Sequence, residues 1–266
     1  DEQFVRAFCA QYNIPLKIKH FDVYQQCKQT GESIEMAART LRYHWFAEQG
    51  GYVCVAHHAD DQAETLLLHL IRGTGLRGLA GMAAERDHIW RPFLPIPRHV
   101  LMTYLREHGA TFVEDSTNRD THYRRNWVRH ELLKKLQEVN PSVPTTLSET
   151  AHHMRQALSV YEVGLQHIET LVEKSCQCEF PFYKGRIRRF SMEAIIQLGE
   201  AGQLWWKEIC WQHGFSTDEA QQALQAKEGF WIASSTHQLC RHGQWLEVAD
   251  LRGSLPILKT EAIPHT

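Results

Sequence analysis

Between positions 57 and 65 the sequence reads His57-His58-Ala59-Asp60-Asp61-Gln62-Ala63-Glu64-Thr65, which crowds two imidazoles and three carboxylates onto one short stretch. Carboxylates at the start of a helix suit a cation or an amine, and an adjacent imidazole can orient such a ligand or move a proton. A structural reading competes with this one. Asp61 and Glu64 stand at N-cap and N3 spacing, so on their own they would close an ordinary capping box. Two histidines and a further carboxylate on the same turn are more than a cap requires.

A second stretch, Arg72-Gly73-Thr74-Gly75-Leu76-Arg77-Gly78-Leu79-Ala80-Gly81-Met82, satisfies G-x-G-x-x-G. The dinucleotide fingerprint must follow a strand and open a helix, whereas this one follows a helical pattern, so a nicotinamide or flavin site is excluded. It reads as a glycine helix stop leading into a loop whose backbone can approach a ligand closely. Arg72 and Arg77 are either solvated or aimed at phosphates. A third stretch runs from Glu114-Asp115-Ser116-Thr117-Asn118 to Tyr123-Arg124-Arg125-Asn126-Trp127-Val128-Arg129-His130-Glu131-Leu132-Leu133. Arg125 and Arg129 are four apart and share a helix face. Val128, Leu132 and Leu133 give that helix a buried side, so the guanidinium groups would be held rigidly, as a bidentate phosphate contact needs. As exposed charges they would contribute only about 0–1 kcal/mol each to stability.

The elements that must position these residues alternate through the first half. A helical pattern (Phe4, Val5, Phe8, Tyr12) ends at Asn13 and Pro15, and Leu16, Ile18 and Phe21 alternate as a strand would. A helix capped by Ser33 runs through Phe46, and Tyr52–Ala56 is a buried strand whose carboxyl end leads directly into the acidic stretch, the end of a strand where open α/β sheets bind ligands. Helices follow over about 61–72 and 98–108, with a short strand at Thr111–Val113. This alternation implies α/β architecture with a parallel sheet. From Leu147 to Val172 apolar residues recur at four- and three-residue steps, a helix with a continuous buried seam. Helices at about 192–198, 204–213 and after Ser216-Thr217 precede three short β-runs, Phe230–Ile232, Gln238–Cys240 and Trp245–Val248. The second half is therefore mostly helical with a small β-meander. A boundary at Asn140-Pro141 divides the chain into 1–140, 141–250 and a short remainder, 251–266.

Composition narrows the classes further. The 266 residues carry 29 Lys and Arg against 31 Asp and Glu, so a nucleic-acid partner would need a local patch rather than overall charge. Seven scattered cysteines without a C-x-x-C signal neither a disulfide framework nor a zinc or iron–sulfur site, and no metal ligands are assigned. No window approaches the ~18 apolar residues of a membrane span and no secretion signal opens the chain, so a cytoplasmic location without membrane association is expected. Asp1 runs at once into an amphipathic helix, which reads as the interior of a longer protein.

Taken in order, Ser33-Ile34-Glu35 through Arg42-Tyr43 and Phe46, the 57–65 stretch, Arg72-Gly73-x-Gly75 through Gly81-Met82, Arg91-Pro92, and Glu114-Asp115-x-x-Asn118 through Arg125-Asn126-x-x-Arg129 resemble the tRNA(Ile)-lysidine synthetase family of PP-loop ATP pyrophosphatases. The resemblance covers most of the chain. It implies a Rossmann-like PP-loop ATPase domain followed by a helical tRNA-binding or substrate domain. It also implies adenylation by ATP, with Mg2+, of the C2 oxygen of the wobble cytidine in a tRNA(Ile) bearing a CAU anticodon. The amine of free L-lysine then displaces AMP to give lysidine, so that the tRNA reads AUA instead of AUG. By the same resemblance His57, Asp60, Asp61, Glu64 and Arg42 are catalytic, and Asp61 and Glu64 hold the lysine. Arg72, Gly73, Gly75, Arg125, Asn126 and Arg129 face nucleotide or tRNA phosphate, and a homodimer stays open. The family's Ser-Gly-Gly-x-Asp-Ser phosphate loop is expected before Asp1, so the 266 residues alone are expected not to turn over ATP. The alternatives are a tRNA thiolase of the same superfamily, which the absence of C-x-x-C disfavours, and a non-catalytic RNA-binding scaffold.

Overall fold

A computed structural model describes residues 2–113, 124–174 and 187–251, and the chain divides into two units, 1–158 and 159–266. The expected Glu114–Asn118 stretch, Tyr123, Cys176-x-Cys178 and nearly all of 251–266 lie outside the described residues.

In the first unit, α1 (Glu2–Gln11) is followed by α2 (Val23–Thr30) and α3 (Ile34–Glu48). Asp22 accepts the amide of Gln25 at 2.9 Å and Ser33 that of Met36 at 3.3 Å, so each helix begins where a short polar side chain replaces a missing backbone acceptor. The expected strand at Leu16–Phe21 does not form, nor does that at Thr111–Val113. Both stretches alternate apolar residues, yet neither meets a partner strand among the described residues. Leu16, Ile18, Phe112 and Val113 stay well exposed, and a ladder is what makes a strand.

The sheet of this unit comprises β1 (Val53–Cys54), β2 (Glu85–Arg86) and β3 (Ile89–Trp90), ordered β1-β3-β2. β1 pairs with β3 in parallel, Val53 opposite Ile89, and β2 with β3 antiparallel through a tight turn in which Asp87 takes φ 57°. Around it lie α4 (Ala59–Arg72), α5 (Leu76–Leu79) and α6 (Arg98–Glu107). Next come α7 (Arg124–Trp127), a π-helical turn (Val128–Leu132) and α8 (Leu133–Val139), one helical run leading to α9 (Val143–Val172). The π turn has a packing reason. Val128 and Leu133 are both buried against Ala63 and Leu67 of α4, and residues five apart on an α-helix would point about 140° away from each other. The wider turn, closed by the Leu133 amide on the Val128 carbonyl, brings both onto one face.

In the second unit, β4 (Glu173–Lys174) and β5 (Ile187–Ser191) precede α10 (Met192–Gln197), α11 (Gly199–Gln212) and α12 (Thr217–Gln225), and β6 (Trp231–Ala233), β7 (His237–His242) and β8 (Trp245–Asp250) follow. The sheet is antiparallel throughout, ordered β4-β5-β8-β7-β6. Among the described residues it has five strands rather than the three legible in the sequence. β5 is hard to see there because Arg188 and Arg189 interrupt its apolar pattern. Both charges are neutralised at home, Arg188 by Glu169 and Glu173 and Arg189 by the buried Glu247. Phe190, Trp205, Trp206, Leu246 and Val248 form the centre of this unit, where Trp206 donates its indole N–H to the Ala220 carbonyl at 2.8 Å. Among the described residues no helix is long and apolar enough to cross a membrane.

Candidate functional site

Helix α4 begins at Ala59, three residues earlier than the carboxylate pattern suggested, and this changes what each acid does. His58 takes the N-cap position, and its backbone N–H donates to Asp61 Oδ2 at 3.0 Å. The box therefore closes between His58 and Asp61, not between Asp61 and Glu64. Asp60 turns the other way and accepts the Arg98 amide at 2.9 Å, supplying the first turn of α6 with the acceptor that Pro97 at its N-cap cannot offer. Glu64, with a side chain 1% exposed, has no capping role at all.

Its partners come from the α7 run. Arg125 donates Nε to Glu64 Oε2 at 2.8 Å and Nη2 to Asp61 Oδ1 at 3.0 Å. Arg129, on the π turn, donates Nε to Glu64 Oε1 at 2.5 Å and Nη2 to both Glu64 Oε2 at 3.1 Å and Asp61 Oδ1 at 3.2 Å. Two guanidinium groups thus meet two carboxylates in a charge-balanced cluster. Burial alone would depress the Arg129 pKa, but its hydrogen bond to Glu64 and the charges of Glu64 and Asp61 outweigh that and raise it. The expectation of solvated arginines carrying little stability is thereby corrected: the shared helix face is real, and it looks onto buried acid.

His57 lies just before this cluster. Its Nδ1 accepts from Arg91 Nε at 3.3 Å. Burial, assisted by the positive charges of Arg91, Arg125 and Arg39 and opposed by Asp61, lowers its pKa from 6.5 to about 4. Arg91 is buried and also donates Nη1 to the Ala83 carbonyl at 3.0 Å. The loop that carries Ala83 is held from two further sides. Gln62 exchanges two hydrogen bonds with the Met82 backbone at 2.8 and 3.1 Å, and Arg155 donates to the carbonyls of Ala80 and Met82. Gly81 makes that approach possible, with φ 59° and room for no Cβ, because one would lie 2.8 Å from the Gln62 amide.

Other expected residues stand elsewhere. Arg42 is exposed on α3, and Arg39 of the same helix stacks closer over Tyr43, 4.5 Å from the ring centroid. Arg72 ends α4, Gly73 caps it with φ 78°, and Gly75 opens α5. Eleven residues beyond Asp61, Arg72 is about 16 Å away along the helix axis, so this group is not part of the charge cluster. Asn126 is half-buried on α7. Sequence reasoning gave no role to Gln62, Arg91 or Arg155; the neighbouring Pro92 and the glycines of the loop were the available signals. Among the described residues no group of three or more His, Cys, Asp or Glu side chains is placed to hold a metal ion.

Comparison with known proteins adds the following. The PP-loop domain family matches residues 1–136. A tRNA(Ile)-lysidine synthase of Bacteroides thetaiotaomicron is 44% identical over 177 residues, 65% of this chain and 42% of the relative. Two others, from Parabacteroides distasonis and Porphyromonas gingivalis (strain W83), are 33% and 32% identical over 94% and 97% of this chain, each covered to 56% of its own length. The chain spans about half the length of the curated relatives it matches.

Proposed function

The chain belongs to the PP-loop domain family, and on that premise we propose that it carries catalytic machinery of a tRNA(Ile)-lysidine synthase. In this reading ATP adenylates the C2 oxygen of the wobble cytidine of tRNA(Ile) and pyrophosphate leaves. The side-chain amine of free lysine, freed of its proton by the carboxylate pair that holds it, then attacks C2, and AMP departs with the oxygen. Adenylation is needed because an amide-like oxygen leaves poorly until it is esterified to phosphate.

The observation that carries this reading is the charge cluster itself. Glu64 and Asp61 form a buried acidic pair suited to an ammonium, and Arg125 and Arg129 form a fork suited to phosphate, yet each pair now satisfies the other. Binding of the two substrates exchanges partners: lysine's ammonium replaces guanidinium on the carboxylates, and the released guanidinium groups meet phosphate as its charge develops. No charge is left buried alone at either stage. Asp60, 27% exposed in its side chain, is the carboxylate that fits a Mg2+ travelling with the phosphates of ATP, an ion that commonly takes one or two protein carboxylates. Contacts to the tRNA body are assigned to the helical region 141–250, and Arg42, Arg72, Gly73, Gly75 and Asn126 to its phosphates or those of ATP.

Glu64→Gln tests the reading in the intact protein. The amide keeps the shape of the side chain but cannot pair with an ammonium. A charge-assisted hydrogen bond is worth roughly 1.5–3 kcal/mol, so the KM for lysine in transfer to tRNA(Ile) should rise about 10- to 100-fold. Adenylation, followed as pyrophosphate release, should fall much less. An unchanged KM for lysine would remove Glu64 from substrate binding.

A further inference from the structure

We infer that Arg91 is a positioning residue that fixes His57 in one tautomer, so that His57 works as a hydrogen-bond donor through Nε2–H and not as a base. A guanidinium has five N–H donors and no acceptor, so the 3.3 Å contact from Arg91 Nε to His57 Nδ1 assigns the lone pair to Nδ1. The ring proton of the neutral imidazole then sits on Nε2. The one basic lone pair of the ring is spent on Arg91, and a second ring proton could be gained only by breaking that contact and placing two cations side by side.

Arg91 is well fixed for this purpose. The residue is 6% exposed, its Nη1 is anchored on the Ala83 carbonyl, and its backbone N–H donates to the Ala84 carbonyl at 2.7 Å. The charged groups facing His57 act together: Asp61 favours a second proton, while Arg91, Arg125, Arg39 and burial oppose it and prevail. At neutral pH the imidazole is uncharged.

The inference separates His57 from the lysine-binding pair beside it. An N–H cannot hold an ammonium, which has no acceptor to offer. Resting here on the proposed reaction, His57 addresses an oxygen of the nucleotide phosphate, where a donor helps as negative charge grows. A preset tautomer has no reorganisation left to undergo during the reaction.

Ring 15N NMR on the intact protein tests the tautomer without any activity, with the His57 resonances assigned by their loss in His57→Gln. The expected spectrum shows Nε2–H only, held on acidification to a midpoint near pH 4; an Nδ1–H tautomer, or a midpoint near 6.5, overturns the inference. In Arg91→Met the tautomers should mix and the midpoint should climb toward 6.5. If that variant does not fold, the parent spectrum still decides. Kinetics then test the role. Gln retains an N–H near the place of Nε2, so His57→Gln should keep activity within roughly tenfold of the parent while His57→Ala loses about 10²–10³, the scale of a missing oxyanion donor. Equal losses would refute the donor role. A parent protein without lysine transfer but with the expected spectrum would sink the proposed reaction and leave the Arg91–His57 assignment standing.

Discussion

Arg129→Ala examines the charge cluster most directly. The substitution deletes three hydrogen bonds, two to Glu64 and one to Asp61, and leaves Glu64 buried with Arg125 as its remaining cation. Removing one partner of a fully buried pair costs about 3–5 kcal/mol. The Arg129 side chain is 32% exposed and Arg125 continues to neutralise the acid, so a loss near 2 kcal/mol is the appropriate figure. For a folding unit of this size that corresponds to a fall of about 4–8 °C in Tm. Glu64→Gln in the same background supplies the control. With the acid gone, deleting Arg129 should cost at least 1 kcal/mol less, a coupling readable from a double-mutant cycle in urea. A Tm within 1 °C of the parent for Arg129→Ala, with no coupling in the cycle, would refute the reasoning and return both arginines to solvent.

Three further outcomes follow from the backbone and the thiols. Gly81 and Gly109 have the same left-handed φ, but only at Gly81 would a Cβ collide with a neighbour, the Gln62 amide. Gly109→Ala should therefore cost about 1 kcal/mol and Gly81→Ala roughly 2 kcal/mol more, because the latter also displaces the two Gln62 hydrogen bonds; equal urea midpoints would contradict this. Burial raises the thiol pKa of Cys210, and burial with the nearby Glu247 raises that of Cys240 to about 11, whereas Cys54 is exposed. Iodoacetamide at pH 8 should modify Cys54 in the native protein and reach Cys210 and Cys240 only on unfolding. Since unfolded thiols ionise near 8.5 and folded Cys240 not until about 11, stability should also decline as pH rises through that interval, and a flat urea midpoint there would count against the burial of these thiols.

Much of this fold was legible because local signals agreed with tertiary demand. Ser33 and Ser216 cap the helices they precede, and the apolar seam of 147–172 lies on one long helix. What could not be read depended on partners distant in sequence. Leu16–Phe21 has a strand's alternation and no ladder, while β5 carries two arginines and yet pairs with β8, since its charges find Glu169, Glu173 and Glu247. At the site, residue types and spacing identified the acids and the arginines separately. That they answer one another across more than sixty positions is a property of the folded chain. Arg91 stood in one of the blocks that carry the family resemblance, yet its role was not legible there, because a buried guanidinium is defined by what it touches.

The π turn at Val128–Leu132 makes the wiring of the site a matter of counting. Arg125 precedes the turn and Leu133 follows it, so the reach of Arg125 to Glu64 depends on how many residues lie between them as well as on which they are. Deleting His130 or Glu131 from the turn would restore ordinary helical spacing and rotate α7 by about 100° about the axis of α8. Leu133 would keep its seat on α4 while Arg125 swung away from the acids. A frame-preserving loss of one codon here would thus silence an arginine without altering it, and every side chain named in the cluster could survive in a sequence whose cluster had come apart.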